Sequence, residues 1–67
     1  MNLWVNGEVA DIKESVKSLQ DLMHHFKMDT DKVVVEHNGN LVSSVYFPGV
    51  KLNPEDRIEV IQFMGGG

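Results

Sequence analysis

A chain of 67 residues and 7.5 kDa has room for one small domain, and its lack of cysteine removes disulfides, thiolate nucleophiles and sulfur-ligated metals together. Six Lys+Arg against ten Asp+Glu give a net charge of -4 and a pI near 5.1, opposed to the cation-driven binding of nucleic acids and anionic membranes. No apolar run approaches the roughly 20 residues that span a bilayer, and the first residues lack a signal peptide's basic and apolar regions, so a cytoplasmic location is expected.

The opening segment Met1 to Asn6 alternates, with Leu3 and Val5 on one face and Asn2, Trp4 and Asn6 on the other. Asn6-Gly7 then marks a hairpin, because both residues tolerate positive φ. A second strand is predicted from Glu8 to about Ile12, anchored by Val9. Leu19, Leu22, Met23 and Phe26 recur at i, i+3, i+4 and i+7, one face of a helix. Ser18 is its N-cap, and Asp21 puts a carboxylate beside the positive end of the dipole. The helix should stop near Lys27, ahead of the loop Asp29-Thr30-Asp31.

The β-branched run Val33 to His37 predicts a strand closed by a turn at Asn38-Gly39-Asn40. Leu41 to Phe47 reads as a short strand and an irregular stretch, closed by Pro48-Gly49. Val50-Lys51-Leu52 suits a short edge strand, and Asn53-Pro54-Glu55-Asp56 a turn with Pro at its second position. A last strand, Arg57 to Met64, precedes Gly65-Gly66-Gly67. Together these elements imply an α+β domain over residues 1–64, a mixed sheet of four to five strands with one main helix on one face, and a flexible tail at 65–67. One helix covers only one sheet face.

Catalytic machinery is not apparent. Adjacent helical residues diverge by about 100°, so His24 and His25 point apart and bind no common ion. Asp21 and His25 stand at i, i+4, the spacing of a surface pair. The carboxylates of Asp29 and Asp31 alternate as in calcium loops, but the remaining ligands are missing. No metal, bound cofactor or catalytic residue is expected.

The tail carries the chemistry instead. From Met64 onward it reaches about 13 Å when extended. Without side chains, Gly65 and Gly66 can thread a narrow channel and deliver an unhindered carboxylate at Gly67. In the last strand Ile61 and Phe63 share the face away from the helix, and Trp4 points the same way on the first strand. With Met64 these residues are expected to form an apolar partner-binding patch at the root of the tail.

The residues carrying this pattern resemble the ThiS family of ubiquitin-like sulfur carriers along nearly the whole chain. The similarity runs through Val5-Asn6-Gly7-Glu8, Ser18-Leu19-Gln20-Asp21-Leu22-Met23 and Val33-Val34-Val35-Glu36-His37-Asn38-Gly39. It is most specific from Asp56-Arg57-Ile58-Glu59-Val60-Ile61-Gln62-Phe63-Met64 to Gly65-Gly66-Gly67. Glu55 replaces a Gly common in the family, and Ser43 a Pro. The resemblance implies a β-grasp fold with the first and last strands parallel in the centre of the sheet. It also implies that a ThiF-like adenylating enzyme joins the Gly67 carboxylate to AMP from ATP, and that a cysteine persulfide on another protein converts it to a thiocarboxylate. A ThiG-like thiazole synthase then takes the sulfur for thiazole formation in thiamine biosynthesis. ATP is consumed by the partner, and the chain acts as carrier and substrate, not as an enzyme. Rival readings are a molybdopterin-type sulfur carrier, a protein-modifying ubiquitin-like tag, and a β-grasp interaction module with an inert tail. Lysine conjugates would mark the tag, and a large molybdopterin synthase subunit the second carrier.

Overall fold

Two short strands, Asn2–Val5 (β1) and Glu8–Asp11 (β2), open the computed structural model, which describes residues 1–63. Asn6 and Gly7 join them with φ of 50° and 84°, the conformation for which Asn-Gly is favoured. The register pairs Leu3 with Ala10 and Trp4 with Val9. That register corrects the expected anchor of β2. Val9 faces out beside Trp4 and is 52% exposed, while Ala10 and Ile12 turn to the core.

The helix (α1) spans Leu19–His25. Its capping box closes with an aspartate: Ser18 Oγ accepts the Asp21 N–H at 3.1 Å, and Asp21 Oδ2 accepts the Ser18 N–H at 3.2 Å. At the other end Lys27 takes φ of 58°. The Lys27 and Met28 N–H groups donate to the His24 and Met23 carbonyls, which closes a Schellman motif on a residue other than glycine. This reversal corrects the reading of the helical face. Leu19, Leu22 and Met23 are buried, but Phe26 falls at the cap and is exposed, and Met28 packs against the core in its place.

Asp29 caps a 3₁₀ turn at Thr30–Lys32 by accepting the Asp31 N–H, so its carboxylate serves the backbone. Strands Val33–His37 (β3) and Asn40–Val42 (β4) form a second hairpin around Asn38 and Gly39, with φ of 50° and 88°. Pro48 and Gly49 lie inside a 3₁₀ helix, Ser44–Gly49, rather than closing the segment. Proline's fixed φ suits that helix. The suggested strand at 50–52 is reduced to one bridge, Ser18 with Lys51, on the run into α1. The last strand is Arg57–Gln62 (β5), shorter than expected, and Met64 and Gly65–Gly67 lie outside the described residues.

The five strands lie in the order β2-β1-β5-β3-β4, with β1 and β5 parallel and the other pairs antiparallel. Leu3, Val33, Val35 and Ile58 on one face meet Leu19, Leu22 and Met23 of α1, and Phe47 closes the layer between them. No helix among the described residues is long and apolar enough to cross a membrane.

Glu55, in the turn before β5, has φ of 70°. A side chain there costs about 1–2 kcal/mol that glycine does not. Glycine's extra unfolded-state entropy returns part of this, so Glu55→Gly is expected to raise stability by about 0.5–1 kcal/mol in denaturant titration. A neutral or lower midpoint would show that the turn relaxes around Glu55.

Candidate functional site

The described chain leaves the sheet at Phe63, and local pairing holds it there. Beyond β5 the Phe63 N–H donates to the Lys32 carbonyl at 3.0 Å. Where β1 has already ended, Asn6 Oδ1 accepts the Val60 N–H at 2.8 Å and satisfies the free side of β5. Asn6 therefore serves both the hairpin turn and the root of the tail. Its Asn-Gly signal indicates only the turn.

Period-two alternation places Arg57, Glu59, Ile61 and Phe63 on the face that α1 does not cover. Ile61, 44% exposed, stands opposite Val34, and Phe63 is 49% exposed. Trp4 belongs to the same face but not to the same patch. The parallel register sets it level with Arg57, four residues before Ile61, or about 13 Å along the strand. It is half-buried, and the Arg57 guanidinium lies 5.2 Å from its ring centroid. The expected Trp4–Ile61–Phe63 cluster is thus divided. Ile61 and Phe63 flank the tail root, Trp4 sits a strand's length away, and Met64 is outside the described residues.

The histidines do not converge. His24 and His25 are exposed, and His24 Nε2 lies 3.2 Å from Gln20 Nε2. The expected Asp21–His25 pair does not form, because Asp21 is turned to the backbone. N–H groups of Lys17 and Ser18 donate to its carboxylate and hold it below its usual pKa. No group of three or more metal-ligating side chains exists among the described residues.

His37 has a different role, which sequence reasoning missed. Its Nε2 lies 2.8 Å from Asp56 Oδ2, Asn38 Nδ2 donates to Oδ1 at 3.0 Å, and the Asn53 N–H donates to Oδ2 at 2.9 Å. Burial pushes Asp56 up, but these hydrogen bonds and the nearby imidazole outweigh it and leave its pKa lowered. The cluster ties the β3–β4 turn to the turn before β5. It fixes the start of β5, at the end of the strand opposite the tail, and offers no reacting group to solvent.

Among the described residues the arrangement presents a strand end and an exposed apolar face. Comparisons with known proteins show what the chain is similar to. Residues 3–67 match the model of the ThiS family. The chain is 31% identical to the sulfur carrier protein ThiS of Bacillus subtilis (strain 168) over 97% of its own length and 98% of that protein's. It is 33% identical to part of a thiazole synthase of Paramagnetospirillum magneticum, where the match takes in all of this chain and 20% of the longer protein. The crystal structure of the thiamine biosynthesis protein ThiS from Geobacter metallireducens superposes with a TM-score of 0.84 at 30% identity, covering both chains in full.

Proposed function

This chain belongs to the ThiS family, and on that premise we propose that it is a sulfur carrier of thiamine biosynthesis whose working group is the Gly67 carboxyl. The observation that carries the reading is the family match, which runs through residue 67. A carboxylate is a poor electrophile, since its charge repels nucleophiles and its oxygen leaves badly. Attack of that oxygen on the α-phosphorus of ATP, with pyrophosphate departing, corrects both faults. The outer sulfur of a cysteine persulfide then bonds to the acyl carbon, and AMP leaves with the electron pair. A second thiol then attacks the cysteine sulfur of that acyl disulfide and forms a disulfide with it, and the acyl-bound sulfur leaves with the electron pair as the Gly67 thiocarboxylate.

This chain has no cysteine, so persulfide and thiol both come from partners. An adenylating enzyme of the ThiF kind and a cysteine persulfide donor are the partners for loading. A thiazole synthase is the partner for delivery, in keeping with the similarity to segments of two thiazole synthases. In this reading the carrier itself holds no cofactor, performs no catalysis and works in the cytoplasm. Gly65 and Gly66 thread the partners' channels, and Ile61, Phe63 and Met64 meet the surface around the entrance.

The test is intact-mass spectrometry after incubation with an adenylating enzyme, ATP and a persulfide donor. The expected product is heavier by one sulfur in place of one oxygen, and thiol alkylation adds to it. An unchanged mass, beside an enzyme that loads a known carrier, would refute the assignment.

A further inference from the structure

The sheet face at the root of the tail has an unusual charge arrangement. Glu36 on β3 and Glu59 on β5 are direct cross-strand partners on the side that α1 leaves open. Opposed side chains have Cβ atoms about 4.5–5.5 Å apart, so two carboxylates in this position repel. Neither enters an ion pair among the described residues, although Glu36 is half-buried. Arg57 shares the face, but its guanidinium is placed over Trp4. Apolar groups border the pair. Leu41 stands opposite Glu36 on β4, and Val34 faces Ile61 in the next outward row toward Phe63.

We propose that this face docks a partner presenting one arginine, set among apolar side chains, between Glu36 and Glu59. The inference rests on the carrier reading above, and the occupant is the thiazole synthase that receives the tail. A guanidinium suits the position because its planar fork can reach two carboxylates at once. The repulsion present in the free carrier disappears when the cation arrives, so the pair favours the docked state more than a lone carboxylate would. The same charges oppose stacking of two carriers through their exposed apolar faces, since each would bring two carboxylates against two more.

The decisive experiment compares the full-length chain with E36Q, E59Q and the double variant. Each is melted alone and titrated against the thiazole synthase at low and at moderate salt. Either single substitution is expected to raise the melting temperature by about 1–4 °C, with little further gain from the second. Affinity is expected to fall about threefold to tenfold for each single variant and further for the double. The double variant should also lose much of the parent's salt dependence. A double variant that binds as tightly as the parent with the same salt slope overturns the proposal. So does a lowered melting temperature, which would mean that the carboxylates hold the sheet together. Absence of binding by the parent chain overturns the carrier–synthase reading itself, and the inference with it.

Discussion

Deleting Gly67 is expected to reduce adenylation by at least about 100-fold, measured as pyrophosphate exchange with the adenylating enzyme. Removal of one residue withdraws the carboxylate by about 3.3–3.6 Å. A displacement near 1 Å already costs about 100-fold when reacting atoms must be held in line. Gly66→Leu tests width rather than reach, and is expected to give a similar loss because its side chain meets the wall of the channel that admits the tail. Both variants should melt with the parent, since among the described residues every buried hydrophobic lies between Leu3 and Ile58. Exchange at the parent rate in the truncated chain would mean that a residue other than Gly67 is activated.

The second large effect concerns stability. Asp56 is 8% exposed and accepts hydrogen bonds from His37, Asn38 and Asn53. Asp56→Ala leaves these donors without their acceptor and is expected to cost about 3–4 kcal/mol. A domain of this size has about 3–10 kcal/mol in all. The melting temperature should therefore fall by about 15 °C or more. The pH dependence has a definite sign. The folded carboxyl lies below the ordinary value of 3.8, so its contribution is complete above about pH 4 and is lost as pH falls through the depressed value. The gap between parent and variant in denaturant titration should narrow below about pH 4. A gap that stays constant down to pH 2 would remove the charged carboxylate as its source.

The features legible in the sequence are those whose cause is local. Asn6-Gly7 specifies its turn through its own φ preferences, and Ser18 with Asp21 specifies a helix start within one turn. The outward face of Ile61 and Phe63 is equally visible, through period-two alternation. The misread positions depend on register or on an unsignalled stop. Val9 was legible as an apolar residue, but only the pairing of Leu3 with Ala10 shows that it faces out. Phe26 continues the helical period, yet the chain reverses at Lys27, where no glycine announces it. The Asp56 cluster joins residues 18 and 19 positions apart across two turns, so its members have no spacing that a linear reading can find.

The order of the strands has a consequence for the life of the chain. Each hairpin, β1–β2 and β3–β4, needs only near neighbours and can form early, whereas β5 is made last and lies between them in space. The hydrogen bond from Val60 to Asn6 spans 54 positions, and such distant closures are slow because they must first overcome the entropy of a large loop. Until β5 arrives, the hairpins share no strand and the core lacks Ile58 between them. Synthesis that halts early therefore yields no partly working carrier, only hairpins exposed to proteases. The strand that completes the fold also bears the tail, so a partner that grips the sheet face around β5 engages only finished molecules.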